Sequence, residues 1–477
     1  MLKIILFLIV SFYSGILFSQ DKIQEILNNE HLKTASVALS VYDLTSKKTI
    51  YSYNENKSLR PASNLKLLST AAILETLGAD YRFKTLLENS GTISESRLNG
   101  NLYVIGGGDP SLGSYRFNKE NPTKFIDEWI KTLQEKNIKT ITGDLIIVDT
   151  LFKKQQIPPT WVWGDIGNYY GAGVKSISIF DNQYKIYFDT KVAINDTVKI
   201  LKIVPEIDGM ILTNNVTAKK IRGDKTNIYG VPKCNLRTID GFLPVNRDSF
   251  IVKGSIPNPA LILAKVFKEK LKNNAINLQG KIKIIETPFE LKNLSLLHTT
   301  HSPTLIEIID KTNKKSINLY AETLMRQLSI ANGLDGSNKS ATKSLTKYWQ
   351  QKAIDISAMK LYDGSGLSTY NLITAKQFVD ILKIIYTDSL NYPNYISTLP
   401  VSGVSGTLKY FLNRSEAKTH VFAKSGSISG IKAYSGYIET KKKNILVFSF
   451  MINNYTCSKS AVKKDMERVL TYLYLNY

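Results

Sequence analysis

The sequence contains few of the residues that most often build metal and redox sites. Its 477 residues include only two cysteines, Cys234 and Cys457, and four histidines. The histidines form no H-E-x-x-H or other zinc-binding spacing, so neither a metal nor another cofactor is expected. The two cysteines fall in different predicted domains. They could pair in an oxidising compartment or remain as two free buried thiols.

Long apolar runs are also absent, apart from one at the N-terminus. Lys3 precedes the apolar stretch Ile4–Phe18, and the small residue Ser19 follows it. This order predicts a cleaved signal peptide over residues 1–19, since the run is short for a membrane span. A retained N-terminal anchor is the alternative, and the lack of a nearby cysteine excludes a lipoprotein anchor. We therefore expect an exported protein without an integral membrane span after cleavage, periplasmic in a Gram-negative-type envelope and soluble or peripherally associated.

Acidic residues are few relative to basic ones. The chain has 62 Lys and Arg against 40 Asp and Glu, a formal net charge of +22. Such an excess favours an anionic surrounding, such as cell wall or outer-leaflet phosphates. Nucleic acid is the rival partner, but it is not expected because the lysines are scattered and no nucleic-acid-binding motif is present. Scattered lysines most often form a solvated surface.

Three short motifs stand out in what the chain does contain. Lys424-Ser425-Gly426 occurs once, near the end of a predicted strand, and is preceded by Ser63-Asn64-Leu65-Lys66 and Ser316-Ile317-Asn318. In this order they match the signature of serine enzymes that are acylated by penicillin. Spacing alone does not select the nucleophile, because the S-x-x-K pattern also begins at other serines: Ser19, Ser340, Ser344, Ser357, Ser415, Ser429 and Ser460.

The surroundings of Ser63 favour it as the nucleophile. It follows a non-helical lead-in, Arg60-Pro61-Ala62, and opens an apolar stretch that is typical of a buried helix. Residues three apart share a helix face, so Lys66 can direct its amine at the Ser63 hydroxyl. A serine nucleophile needs a base, and Lys66 can be that base only when it is neutral. Burial and a second cation, Lys424, would both lower its pKa.

Two further sets of groups are predicted to stabilise the reaction. A tetrahedral intermediate needs two donors at its oxyanion, and the backbone N–H groups of Ser63 and Ser427 are predicted to supply them. Ser316 is predicted to relay the proton to the leaving amine. Asn318 is predicted to hold Lys66 and the substrate amide.

The triplet on the strand is predicted to bind the substrate. Lys424 and the Ser425 hydroxyl would bind the carboxylate of a peptide C-terminus. Gly426 would leave room for an extended substrate beside the strand.

Longer blocks extend the resemblance over nearly the whole mature chain. They are Arg60-Pro61-Ala62-Ser63, Gly106-Gly107-Gly108-Asp109-Pro110, Thr142-Gly143-Asp144, Tyr169-Tyr170-Gly171-Ala172, Ser316-Ile317-Asn318-Leu319-Tyr320-Ala321-Glu322, Asp363-Gly364-Ser365-Gly366-Leu367-Ser368, Leu399-Pro400-Val401-Ser402-Gly403 and Gly406-Thr407-Leu408. With these blocks the chain resembles the class C low-molecular-mass penicillin-binding proteins, which are D-alanyl-D-alanine carboxypeptidases and endopeptidases. One departure is Ser425, where threonine is commoner in the family, although the hydroxyl remains.

The spacing of the motifs predicts a large insertion. Ser63 and Ser316 lie more than twice as far apart as Ser316 and Lys424. We expect a mixed α/β (α+β) fold, with a serine β-lactamase/transpeptidase-like catalytic domain over residues 20–85 and 292–477, in which helices flank an antiparallel sheet. Residues 86–291 are predicted to form a β-rich insertion, for which the family resemblance implies two subdomains.

Three hypotheses about function follow from these residues. The resemblance implies a serine carboxypeptidase or endopeptidase that cuts peptidoglycan stem peptides through an acyl-enzyme on Ser63 and is also acylated by β-lactams. The second hypothesis is a β-lactamase, which would have to hydrolyse its penicilloyl ester quickly. The third is a non-catalytic cell-wall-binding module, which the loss of Ser63, Lys66 or Lys424 would have indicated. All three residues are present.

Overall fold

The computed structural model describes residues 22–153, 156–288, 290 and 292–477. The predicted signal peptide, residues 1–19, lies outside them. The helices are α1 (22–27), α2 (Lys66–Leu77), α3 (Lys124–Glu135), α4 (Trp163–Ile166), α5 (Pro259–Asn273), α6 (Leu305–Lys315), α7 (Asn318–Ala331), α8 (Asn338–Gln351), α9 (Ala375–Asp388), α10 (Tyr392–Ser397) and α11 (Lys459–Asn476).

The strands are mostly short. They are β1 (Ser36–Asp43), β2 (Lys48–Tyr53), β3 (Lys84–Asn89), β4 (Thr92–Ser94), β5 (Arg97–Asn99), β6 (Leu102–Gly106), β7 (Thr140–Ile141), β8 (Leu145–Val148), β9 (Gln183–Asp189), β10 (Lys199–Val204), β11 (Ile211–Lys219), β12 (Lys225–Tyr229), β13 (Leu236–Pro244), β14 (Phe250–Ser255), β15 (Asn277–Leu278), β16 (Ile282–Ile285), β17 (Ser295–His301), β18 (Val421–Ile428), β19 (Ile431–Glu439) and β20 (Ile445–Asn453).

The chain divides into two compact units. The first comprises Met1–Ala79, Ile309–Ser316 and Thr342–Tyr477, and the second comprises Asp80–Ile308 and Ile317–Ala341. The mixture of helices and sheets agrees with the predicted α/β class. The predicted boundaries, 20–85 with 292–477 and 86–291, stay a prediction, as does the division of the insertion into two subdomains.

The first unit is built on a five-stranded antiparallel sheet in the order β18-β19-β20-β1-β2. The central strand β20 is apolar along nearly its whole length and buried on both faces, because helices cover the sheet on both sides. Residues of α1 and α11, such as Ile26 and Leu470, join one apolar core with the sheet, and α9 also packs against β20. Strand β18, which carries Lys424-Ser425-Gly426, is at the edge of this sheet.

The second unit is rich in short strands. It holds three- and four-stranded sheets together with a five-stranded sheet in the order β16-β8-β6-β3-β17. Helices α3 and α5 contribute Trp129 and Phe267 to its core, and the Trp129 indole donates a hydrogen bond to the Thr300 hydroxyl at 2.8 Å. The three glycines Gly106-Gly107-Gly108 predict a tight turn in which Asp109 caps the residues that follow. The turn is present, since Asp109 Oδ1 accepts from the Ser111 backbone N–H at 2.7 Å.

One strand of the second unit departs clearly from its sequence prediction. The pattern over Thr217–Arg222 predicts a strand, whereas the structure places the strand at Ile211–Lys219. The prediction was wrong because only Val216 and Ala218 are buried along this strand, and its other residues are exposed or partly exposed. Polar residues such as Asn214 and Asn215 therefore hide the alternation on which the prediction depended.

Two observations bear on other sequence predictions. Cys234 and Cys457 are free thiols, each partly exposed, and they lie in different units. Within the described ranges, none of the helices combines the length and apolarity needed to cross a bilayer.

Candidate active site

Ser63 lies in a single helical turn just before α2. The residues Ala62–Leu65 form a 3-10 helix, and α2 begins at Lys66. Lys66 is completely buried, and its Nζ donates to Ser63 Oγ at 3.0 Å and to the Ser365 carbonyl oxygen at 2.7 Å. The nucleophile and base predicted from the S-x-x-K pattern are therefore within hydrogen-bond distance of each other.

The loop that supplies the Ser365 carbonyl is organised by Asp363. This fully buried carboxylate accepts from the backbone N–H groups of Gly366 at 2.8 Å and Ser368 at 2.5 Å, and from Asn371 Nδ2 at 2.7 Å. Three hydrogen bonds to one carboxylate fix the loop backbone. The backbone of this loop therefore helps to orient the Lys66 amine through the Ser365 carbonyl.

Two glycines let the backbone close tightly around the Ser63 turn. A β-carbon at Gly366, whose φ is +79°, would lie 1.9 Å from the Ala62 carbonyl oxygen. A β-carbon at Gly426 would lie 2.4 Å from the Pro61 carbonyl oxygen. The position that a side chain at residue 426 would occupy therefore faces the turn before Ser63, not an open groove. This packing gives a different reason for the glycine from the room for substrate that the sequence suggested.

Lys424 has its own neutral partners. Its side chain is completely buried, and its Nζ donates to Ser316 Oγ at 3.0 Å and to the Ser425 carbonyl oxygen at 2.7 Å. Burial lowers the pKa of Lys424 well below its usual value, and the charges of Lys66 and Lys432 lower it further. The site therefore favours a neutral amine. Ser316, which meets Lys424, has the left-handed backbone angle φ +57°.

The edge strand β18 presents polar groups away from β19. The carbonyl of Val421 accepts from Ser402 N, and Ala423 N donates to the Pro400 carbonyl, so both use the side of β18 opposite to β19. Backbone groups alternate along a strand with a period of two residues. The backbone N–H groups of Ser425 and Ser427 therefore face the same way, and that of Ser427 has the orientation that an oxyanion donor needs.

The Ser425 hydroxyl has a neighbour that the sequence analysis did not select. Ser425 Oγ donates to Thr407 Oγ1 at 2.7 Å, and Thr407 lies in a short 3-10 helix, Gly406–Leu408. Thr407 was noticed only as part of a longer family block. A single hydroxyl with no charged or catalytic neighbour in sequence gives no signal of its own.

Asn318 is the one predicted site residue in the second unit. It is the first residue of α7, and its Nδ2 donates to the Tyr170 carbonyl oxygen at 2.9 Å. The structure thus brings together Ser63 with Lys66 and Ser316 with Lys424 inside the first unit. The predicted contact of Asn318 with Lys66 stays a prediction.

Comparison with known proteins agrees with this geometry. The model of the D-Ala-D-Ala carboxypeptidase 3 (S13) family matches residues 19–473. The chain belongs to this family. It is accordingly a serine peptidase, and the predicted relation to the class C low-molecular-mass penicillin-binding proteins is confirmed.

Individual relatives of this S13 chain are distant in sequence. It is 27% identical over 459 residues to a D-alanyl-D-alanine carboxypeptidase of Actinomadura sp. (strain R39), covering 92% of this chain and 81% of the relative. The crystal structure of penicillin-binding protein 4 from Haemophilus influenzae matches with a TM-score of 0.83 and 22% identity, covering 95% of this chain and 99% of that one. The same protein has also been solved in complex with a β-lactam.

A third neighbour is more remote. A predatory endopeptidase from Bdellovibrio bacteriovorus, solved with an immunity protein, has a TM-score of 0.51 and 15% identity, covering 92% of this chain and 94% of that one. These structural similarities concern the fold, which agrees with the predicted class.

Proposed function

We propose that this protein is a serine D-Ala-D-Ala carboxypeptidase and endopeptidase that acts on peptidoglycan stem peptides through an acyl-enzyme on Ser63. The observation that carries the proposal is the 3.0 Å hydrogen bond between the buried Lys66 amine and Ser63 Oγ. Membership of the S13 family supports the substrate class.

In the acylation step, Ser63 Oγ attacks the carbonyl carbon of the penultimate D-alanine. Lys66 in its neutral form accepts the hydroxyl proton as the new C–O bond forms. The Ser365 carbonyl holds the lysine amine in place during this transfer, since it accepts one of the amine hydrogens at 2.7 Å. Lys66 must therefore be neutral at the start of the step and charged at its end.

The developing oxyanion needs donors that are already in position. The Ser63 N–H lies in the first turn of a helix, where it has no intrahelical acceptor. The Ser427 N–H faces away from β19 at the edge of the sheet, as argued above from the partners of Val421 and Ala423. Together these two groups are our candidates for the oxyanion hole.

Release of the leaving group requires a proton at its amine nitrogen. Ser316 Oγ, which accepts a hydrogen bond from the Lys424 amine at 3.0 Å, is our candidate to relay the proton that Lys66 took from Ser63 to the departing nitrogen as the C–N bond breaks, so that Lys66 is neutral again before water attacks. The leaving group is the terminal D-alanine in a carboxypeptidase reaction and the crosslinked residue in an endopeptidase reaction. Water then attacks the Ser63 ester and frees the enzyme.

β-Lactams would acylate the same serine, because their strained amide replaces the scissile peptide bond. We further propose that the protein acts in the periplasm, on stem peptides of the wall. The predicted signal peptide and the net charge of +22 support an exported protein beside an anionic polymer.

The test of the proposed function is product analysis. The purified protein is incubated with a stem peptide ending in D-Ala-D-Ala and with crosslinked muropeptides, and the products are weighed by mass spectrometry. We expect loss of one alanine from the first substrate and cleavage of the crosslink in the second. The Ser63→Ala variant should do neither, whereas the matched control Ser460→Ala, which removes another serine of an S-x-x-K pattern, should do both. Equal activity of Ser63→Ala and the wild type would contradict the proposal.

The β-lactamase alternative makes a different kinetic prediction. A β-lactamase would hydrolyse its penicilloyl ester within seconds or less, whereas the peptidase proposed here should retain the label for minutes or longer. The decay of a fluorescent penicillin adduct after removal of free drug distinguishes the two.

A further inference from the structure

Lys432, in the first unit, forms no ion pair with any residue that the structure describes. It lies in β19, directly opposite Ser427 in the antiparallel pairing with β18, and is partly enclosed. Within the part of the chain that the structure describes, its ammonium has the Tyr434 ring as a partner, at 4.9 Å, and donates to no oxygen. Enclosed ammonium groups are normally paired, so an unpaired one suggests a ligand.

The surroundings of Lys432 are themselves positive. Burial lowers the pKa of Lys432 to about 8, and the charges of Lys463 and Lys459 on α11 contribute in the same direction. Its own charge is in turn one of those that lower the pKa of Lys424. Without an anion, this arrangement opposes the folded state.

Lys432 shares a face of the sheet with the side chains of Ser425, whose hydroxyl was predicted to bind substrate, and Ser427. Residues that pair directly across two strands have their side chains on the same face, about 5 Å apart at Cβ. Ser427 pairs with Lys432, and Ser425 pairs with Tyr434, whose ring lies under the Lys432 ammonium. Because side chains alternate along β18, Lys424 is on the opposite face.

Lys424 itself is poorly placed to neutralise a carboxylate. It is completely buried, donates to Ser316 Oγ and the Ser425 carbonyl, and is in an environment that favours its neutral form. Ser425 is partly exposed and Ser427 is exposed, so their hydroxyls can meet a ligand. A substrate with a free C-terminus brings a negative charge to this face, and that charge needs a cation.

We propose that Lys432 is a specificity-determining residue whose ammonium receives the terminal carboxylate of the substrate, beside the hydroxyls of Ser425 and Ser427. This inference rests on the proposed function and assigns the carboxylate contact to a residue outside the three motifs. It also assigns to Lys432 the charge recognition that the sequence analysis gave to Lys424. The carboxylate of a penicillin would occupy the same position.

The test compares an acidic substrate with its neutral analogue. A peptide ending in D-Ala-D-Ala and the same peptide with a terminal carboxamide are assayed with the wild type, Lys432→Met and Lys432→Arg. Lys432→Met should lower kcat/KM for the acid by about 10- to 100-fold, the range of a charged hydrogen bond, and leave the carboxamide nearly unchanged. Lys432→Arg should retain most of the preference for the acid. The matched control is Lys459→Met, which removes an exposed lysine of the same cluster and should change neither rate by more than about twofold.

A second readout separates recognition from a structural role. Because Lys432 has no counter-ion among the described residues, Lys432→Met should unfold at the same or a higher temperature than the wild type. A lower melting temperature, or equal losses for the acid and the carboxamide, would overturn the inference. So would an unchanged rate for the acid.

The outcome also remains informative if the proposed function is wrong. A wild type that cleaves neither peptide would contradict that function, and the inference would then be tested on acylation by benzylpenicillin and its methyl ester. Slower labelling of Lys432→Met by the acid alone would support the carboxylate contact. Equal slowing by both, or by neither, would overturn it.

Discussion

Buried lysines have charged partners in the second unit and uncharged partners in the first, as Lys175 and Lys424 show. Lys175 in the second unit is 6% exposed and forms ion pairs with Asp149 Oδ2 at 2.9 Å and Glu286 Oε1 at 2.6 Å. Lys424 in the first unit is also buried, but its hydrogen bonds go to a hydroxyl and a carbonyl, both uncharged. Two carboxylates therefore compensate the charge of Lys175. Burial and neighbouring cations instead favour the neutral form of Lys424.

The partners of Lys175 suit a lysine that stabilises the fold, whereas those of Lys424 suit a lysine of an active site. Although burial acts to raise it, hydrogen bonds from Lys175 and Lys233 lower the pKa of Glu286, so that ion pair persists in neutral solution. The pKa of Lys424 moves in the direction that discharges the amine. Lys66, the proposed base, lies near enough to lower the pKa of Lys424 and likewise donates to a hydroxyl and a carbonyl, the uncharged surroundings that a lysine base needs.

The largest effect is expected for the base itself. Lys66→Met should slow acylation by a β-lactam by about 10²–10⁴-fold, the usual contribution of a general base, because no group would then accept the Ser63 proton. The fold should persist, as the variant loses neutral hydrogen bonds that are worth only about 1 kcal/mol each. Stopped-flow acylation and circular dichroism check the two parts. A Lys66→Met variant that is acylated as fast as the wild type would contradict the assignment of Lys66 as the base, and with it the contrast to the ion-paired Lys175.

Lys175→Met is the converse experiment. Removing this cation leaves the Asp149 and Glu286 carboxylates without it, which should reduce the free energy of unfolding by about 3–5 kcal/mol. Urea denaturation measures the loss. Where the variant remains folded, its Ser63 should still be acylated at a rate near that of the wild type. An unchanged free energy of unfolding would show that the ion pairs of Lys175 do not stabilise the second unit.

Asp109 is a buried carboxylate of the second unit that, unlike Asp149, forms no ion pair with a residue in the described ranges. Burial raises the pKa of Asp109 to about 6 from the ordinary 3.8, against the effect of its hydrogen bonds from Ser111. The folded protein therefore binds more protons than the unfolded chain between about pH 4 and 6, and its stability falls as the pH rises through that interval. At 1.36 kcal/mol per unit, the loss approaches about 3 kcal/mol.

Asp109→Asn should remove this dependence while keeping an oxygen acceptor for Ser111. Urea denaturation of both proteins at intervals from pH 4 to pH 7 should give a stability difference that grows up to about pH 6 and is then constant. Parallel curves would contradict the raised pKa.

The smallest effect concerns packing at the nucleophile. Gly426→Ala places a β-carbon 2.4 Å from the Pro61 carbonyl oxygen, so β18 and the Ser63 turn must move apart. We expect a loss of about 1–3 kcal/mol in stability and slower acylation. The control is Gly78→Ala at the other end of α2, where φ is +81° and nothing lies within 4 Å of the added carbon. It should lose a similar stability through backbone strain and keep the acylation rate of the wild type.

Several elements were predictable from the sequence because local pattern and tertiary environment agree. The sequence pattern predicts a hairpin strand at Lys48–Tyr53 and a helix at Ala375–Tyr386. The strand has these bounds in the structure, and the helix ends two residues later, at Asp388. The three motifs could also be recognised in the sequence, because the proposed chemistry requires a serine and a lysine at a fixed spacing. The interlocking of Gly366 and Gly426 with the Ser63 turn was not, because it depends on segments that are distant in sequence.

Lys432 shows the limit of motif reasoning most clearly. In the sequence it completes one of the competing S-x-x-K patterns, Ser429 to Lys432, and was discounted with the rest. Only the pairing of β18 with β19 places it opposite Ser427, and only the folded structure shows that it forms no ion pair within the described ranges. Such information comes from strand register, which short-range patterns do not fix.

The most direct test of the account is to locate the acyl group. After reaction with benzylpenicillin, tryptic digestion and mass spectrometry should find the penicilloyl adduct on the peptide from Ser58 to Lys66, and fragmentation should assign it to Ser63. An adduct on Ser58, on any of the other serines that begin an S-x-x-K pattern, or on no residue at all would contradict the central claim that Ser63 is the nucleophile activated by Lys66.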